Sequence, residues 1–107
     1  MSTILGQVLT IDFTTHDPTT GQVANATAVS CQVFEDVDNT PIITPLPVER
    51  LGQIGDYRVT FLLDPVAGFL IGHTYNVIVE ATVNTITAKA NIKQFTVDQP
   101  RGRVINI

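Results

Sequence analysis

The residues that could do chemistry in this chain are few and scattered. There is one cysteine, Cys31, and there are two histidines, His16 and His73. A catalytic thiol needs a nearby base or cation to lower its pKa. Cys31 sits between Val29 and Val33 and reads as a buried small hydrophobe. His16 and His73 stand beside Pro, Gly and Thr in turn-forming stretches and read as solvated turn residues. A Ser-His-Asp arrangement needs a serine on an exposed, sharp turn. The only serines are Ser2, among the first residues, and Ser30, within an alternating segment. Asp36, Asp38 and Asn39 share one loop, and Asp17 or Asp64 could join them as oxygen ligands for calcium. The spacing lacks both the Asp-x-Asp-x-Asp-Gly loop and the distal Glu. Asp36 and Asp38 read as loop residues rather than a catalytic carboxylate pair, and a calcium ion near them stays open. No glycine-rich phosphate loop is present. The expectation is a non-enzymatic chain with no catalytic residue, no cofactor, no assigned metal ligand and no small-molecule substrate.

Composition narrows the class. A chain of 107 residues makes one domain. Hydrophobic residues supply 44% and charged residues 15%, the reverse of a disordered chain. The longest apolar run, around Phe69-Leu70-Ile71, is broken by Gly72, far short of the ~20 residues of a membrane helix. Six Lys and Arg stand against ten Asp and Glu, for a net charge of -4. Nucleic-acid binders neutralise phosphates with basic residues, and here only Arg101 and Arg103 cluster. A single cysteine forms no internal disulfide. Met1-Ser2-Thr3 has no basic n-region and Ile4-Leu5 is too short for an apolar h-region, so no secretory signal is expected. Asn25-Ala26-Thr27 fits the glycosylation sequon, and without such a signal it reads as chance.

The elements that must position any site are strands. Helical periodicity is nearly absent, and alternation with period two recurs between Pro, Gly, Asn and Asp clusters. A first strand is expected from about Ile4 to Thr14, with Leu9, Ile11 and Phe13 on one face. A second runs from about Ala28 to Asp36, with Val29, Cys31 and Val33 together. Ile42 to Val48 is apolar but interleaved with Pro45 and Pro47 after Pro41, which predicts an edge strand or an extended crossing loop. Asp56 to Leu63 alternates cleanly, and Asp64 to Gly68 predicts a loop with one short helical turn. Thr74 to Val83, a turn at Asn84-Thr85, and Ile86 to Val97 predict a hairpin. Its second strand loses phase before Phe95, the mark of a bulge or a change of partner. Pro100 and Gly102 then precede an apolar end, Val104, Ile105 and Ile107. That end reads either as an extra edge strand or as an arm docked on a neighbouring chain.

Two stretches repeat a Gly, a short gap, a Tyr and alternating Val: Gly55-Asp56-Tyr57-Arg58-Val59 and Gly72-His73-Thr74-Tyr75-Asn76-Val77. This resembles immunoglobulin-like and transthyretin-like sandwiches, where the Tyr buries its ring at the strand entry. A wider order adds Phe13-Thr14-Thr15-His16-Asp17-Pro18-Thr19-Thr20-Gly21, Val33-Phe34-Glu35-Asp36 and Ala81-Thr82-Val83-Asn84-Thr85-Ile86-Thr87-Ala88-Lys89-Ala90. Over about residues 9 to 97 it resembles the small immunoglobulin-like proteins encoded among structural genes of tailed bacteriophages. Phe34 stands where that family often has Tyr, and Asn84-Thr85-Ile86 replaces its frequent Gly turn.

About seven strand-like segments separated by regular turn signals point to an all-β antiparallel β-sandwich, and the resemblance implies that it is immunoglobulin-like. It would span residues 1–97, with an N-terminal strand or arm over 1–8 and a C-terminal arm over 98–107. It implies a virion structural protein, assembled in the host cytoplasm. The best-fitting role is capsid decoration or cement, with the major capsid protein and copies of itself as partners. Alternatives are a tail, baseplate or fibre-associated domain for host-surface attachment, and a bacterial sandwich with no phage link. The suspected contact residues are Ile42, Ile43 and Leu46, then Phe69 and Leu70, then Arg101, Arg103, Val104, Ile105 and Ile107. Sugar binding is disfavoured, since there is no Trp and only Phe34 and Phe69 read as free aromatics.

Overall fold

The computed structural model describes residues 3–38, 40–50 and 52–98. Among them, eight strands form two sheets: β1 (Thr3–Ile4), β2 (Val8–Thr14), β3 (Ala28–Glu35), β4 (Pro41–Ile43), β5 (Val48–Glu49), β6 (Asp56–Leu62), β7 (Thr74–Val83) and β8 (Ile86–Asp98). The larger sheet has the order β1-β8-β7-β3-β4 and the smaller one β2-β6-β5. Every pairing is antiparallel except β1 with β8, which is parallel. The fold is an all-β sandwich.

Alternation builds the core. Along β6, Tyr57, Val59 and Phe61 are buried while Arg58, Thr60 and Leu62 are exposed. On β7, Tyr75, Val77 and Val79 turn inward, and on β3 so do Cys31 and Val33. Phe95 and Val97 complete the inner face of the large sheet, with Ile11 from β2 opposite. Each fully buried Val, Leu or Phe contributes roughly 1.5–3 kcal/mol.

Two departures from the expected path and one expectation met twice over have local causes. The first strand is not continuous from Ile4 to Thr14. Gly6 takes φ +87, its N–H bonds to Leu63 O and Gln7 O receives the Leu63 N–H. The chain thereby leaves the large sheet after β1 and enters the small one at β2. The proline-rich stretch is both an edge strand and a crossing: β4 pairs with β3 in the large sheet, and β5 pairs with β6 in the small one. Thr44 to Pro47 between them form no strand, because Pro45 and Pro47 have no N–H for a ladder. The third concerns Phe69, expected as a free aromatic contact. It is 0% exposed and lies in the core, since the 3₁₀ turn Pro65–Ala67 folds the following loop back between the sheets.

The slip in β8 is a bulge. Val77 pairs with Lys93 while Ile78 pairs with Asn91, leaving Ile92 as the extra residue. At the hairpin, Asn84 and Thr85 have φ of 52 and 67, which makes a two-residue type I′ turn matched to strand twist.

Gly55 marks where the β5–β6 connection presses on the β2–β3 loop. Its φ is +70, and an added Cβ would lie 2.5 Å from Val23 Cγ1, 2.8 Å from Ala24 O and 2.9 Å from Thr15 O. Two of these neighbours are backbone oxygens and cannot swing away. Gly55→Ala should lower unfolding free energy by about 2–3 kcal/mol, from the backbone conformation and the clash together. Gly21→Ala, at φ +76 with nothing nearby, should cost about 1 kcal/mol. Urea midpoints at unchanged m-value compare the two, and equal losses would show that the loop yields.

Candidate interaction surfaces

The outer face of the small sheet carries side chains that β2, β5 and β6 turn away from the core. Cross-strand register places Val8 beside Leu62, Thr10 beside Thr60 and Asp12 beside Arg58. Val48 stands on the other side of Arg58. Leu46, Val48, Arg50, Arg58 and Thr60 line one shallow depression. The face therefore runs from an apolar end, Val8 and Leu62, past the Leu46 and Val48 side chains, to a charged end.

At that charged end Arg58 donates to both Asp12 oxygens, Nε to Oδ1 at 2.7 Å and Nη2 to Oδ2 at 3.2 Å. Arg50 Nη1 donates to Asp56 Oδ2 at 3.1 Å and lies 3.8 Å from Asp12 Oδ2. The hydrogen bond from Arg58, aided by attraction to Arg58 and Arg50, holds the Asp12 carboxyl below its usual range. Arg58 is raised in turn, first by the same bond. The forked geometry fixes the guanidinium on the sheet surface, while solvent keeps the energetic return of such pairs small.

The suspected contact residues divide between surface and core. Leu46 is 77% exposed and Leu70 48%. Ile42 and Ile43 are half-buried on β4 and pack against the core. Phe69 is interior and offers no contact surface. Arg101, Arg103, Val104, Ile105 and Ile107 lie outside the described residues, as does Asn39. Asp98, expected to begin the C-terminal arm, is the last residue of β8 and pairs with Ile4.

The other chemical candidates have structural partners. Asp36 Oδ1 accepts from Asn76 Nδ2 at 2.8 Å and from Gln94 Nε2 at 3.4 Å. Asp17, Asp38 and Asp64 each accept a backbone N–H two residues on, from Thr19, Thr40 and Val66. No group of three or more His, Cys, Asp or Glu placed to hold a metal occurs among the described residues. His73 Nδ1 lies 2.9 Å from Glu35 Oε2, and His16 forms a single bridge with Val23. Cys31 is buried on β3, and burial pushes its thiol up to about 11. Phe34 is half-buried rather than free.

Some surface residues were not singled out from the sequence. Val8, Val48 and Leu62 look like ordinary strand hydrophobes, but their odd-even phase opposes that of Ile11, Val59 and Phe61. That phase was the available signal. Ile86, Ala88 and Ala90 follow an inward phase yet stay exposed, because the three-stranded sheet does not reach them. The chain matches no protein-family model, no curated protein and no solved structure.

Two measurements check the electrostatics. A carboxyl NMR titration should place Asp12 below the ordinary value of about 3.9, and Arg58→Gln should return it towards that value. Because the folded-state pKa is the lower one, the stabilising contribution is present above about pH 4 and fades as pH falls through the folded value. For Cys31, a thiol reagent at pH 8 should label the native protein slowly and accelerate sharply through the urea transition. Rapid native labelling would contradict the burial of this thiol.

Proposed function

We propose that the chain is an immunoglobulin-like sandwich serving as a non-enzymatic virion structural protein, a decoration or cement subunit on the capsid lattice of a tailed phage. The family reading rests on the sequence resemblance and gains support from the strand order. A five-stranded sheet, in which β1 pairs in parallel with β8, packs on β2-β6-β5. Tyr75, at the start of β7, donates its hydroxyl back to Gly68 O at 3.2 Å and accepts from Leu70 N at 2.7 Å. A tyrosine tied to the backbone just upstream of its strand recurs in immunoglobulin-like domains.

The observation that carries the binding role is the apolar content of the small sheet's outer face. Leu46, Val48, Val8 and Leu62 are all exposed there: Val8 pairs with Leu62, Val48 stands beside Arg58 of the Asp12–Arg58 ion pair with Leu46 lining the same depression, and Thr10 and Thr60 lie between. Solvated faces of sandwich sheets are usually polar. A rigid patch of this kind suits a partner presented many times over, since repetition turns a modest affinity per copy into stable coverage.

The test is sedimentation of the purified protein with undecorated heads and with tails of the cognate phage. Saturation on heads at hundreds of copies is expected. Leu46→Asp combined with Val48→Asp should weaken head binding at least tenfold while leaving the urea midpoint unchanged, because both side chains are outside the core. Binding to tails alone, at a handful of copies, would overturn the decoration role in favour of host attachment.

A further inference from the structure

We propose that the open edge of β8 from Ile86 to Asn91 is a docking strand for an extended segment of another protein that alternates apolar with acidic residues. This inference stands apart from the outer-face patch and does not depend on the capsid reading. On one side β8 pairs with β7 from Ile86 to Thr96, with Ile92 bulged out, and among the described residues its other side pairs only at Val97 and Asp98, with β1. The two-residue turn makes Val83–Ile86 the closing hydrogen-bonded pair, so alternate residues from Ile86 bond to β7. The N–H and C=O groups of Thr87, Lys89 and Asn91 therefore face outward over about 14 Å, without a strand partner among the described residues.

An unpaired edge by itself is a common hazard that proteins blunt with bulges and inward charges. Here that protection is partial. The bulge at Ile92 brings Lys93 opposite Val77, on the core face of the sheet. The stretch before it has no bulge and no inward charge, and its one edge charge is Lys89. Beneath Ile86–Asn91 the exposed side chains on the inner face are Ile86, Ala88 and Ala90. Together with the loop residues His16 and Pro18 they line an apolar trough of about 190 Å³. The two alanines leave room for larger side chains from an added strand, at the alternate spacing that strand addition uses.

Charge chooses the occupant. Lys89 stands on the outer face at the middle of the edge, only loosely paired with Glu80 at 3.7 Å. A second copy added antiparallel over the full stretch would set Lys89 against Lys89, a destabilising cross-strand pair. The chain's own C-terminal segment brings Arg101 and Arg103, of the same sign. A strand with carboxylates on its outer face and apolar side chains towards Ala88 and Ala90 satisfies both faces.

The probes are two capped nine-residue peptides, one alternating Val with Glu and one alternating Val with Lys, added to the full chain. Residue-resolved amide exchange is the readout. The Val/Glu peptide at millimolar concentration should slow exchange at Thr87, Lys89 and Asn91 at least tenfold and leave Ile86, Ala88 and Ala90, already bonded to β7, nearly unchanged. The Val/Lys peptide should bind at least tenfold more weakly, and Lys89→Glu should reverse that order. No slowing at the three amides with the Val/Glu peptide would overturn the proposal. So would their protection in the peptide-free chain: independent of concentration, it assigns the edge to the chain's own arm; rising with concentration, to a second copy.

Discussion

The two sheets are held together by side chains, with no shared backbone ladder, and the sandwich depends on what fills the gap between them. Most of the filling comes from the strands, but one ring at its centre comes from a loop. Phe69, a loop residue, stacks at 6.1 Å on Phe61 of the small sheet and meets Tyr75 at 4.9 Å and Phe95 at 6.3 Å in the large one. Such pairs add about 0.5–1.5 kcal/mol beyond their buried area. Because a loop supplies this plug, the loop itself must be fixed. Asp64 caps the 3₁₀ turn ahead of it. The Tyr75 hydroxyl bonds to Gly68 and Leu70, the two neighbours of Phe69. One tyrosine thus contributes its ring to the cluster and its hydroxyl to the segment that delivers the central ring.

The sheets differ in width, five strands against three, and the surfaces follow from that mismatch. A narrow sheet covers Val77, Phe95 and Val97 but stops short of the hairpin end of β8, where Ala88 and Ala90 stay in contact with solvent. The small sheet in turn buries Ile11, Tyr57, Val59 and Phe61 on its inner face and shows an outer face of mixed apolar and charged residues. Both exposed regions belong to rigid strands whose partners on one side are fixed, so neither has freedom to collapse onto the core.

Much of the architecture was legible in the residues. Period-two alternation located β3, β6, β7 and β8, and the phase break before Phe95 signalled the bulge now seen at Ile92. The prolines at 41, 45 and 47 told that their segment could not be a central strand. Other features were not legible because tertiary partners decide them. Gly6 carries the chain between sheets only because Leu63 is there to exchange hydrogen bonds with it. Phe69 sits in an irregular stretch with no periodicity to reveal that it points inward. The contact surfaces were read only in part. Leu46 and Leu70 are where an exposed apolar residue was expected, whereas the outward phase of Val8 and Leu62 acquires meaning only when register puts them side by side.

The parallel pairing of β1 with β8 has a mechanical consequence. Thr3 and Ile4 lie beside Val97 and Asp98, running the same way, and Leu5 N–H adds a further bond to Asp98 O. Tension drawn outward through Thr3 at one end and Asp98 at the other pulls these strands past one another along their length. The load then falls on the bonds of that short ladder together, in shear, rather than opening them one by one as peeling would. The β1–β8 ladder is therefore also a clamp against tension drawn along these two strands.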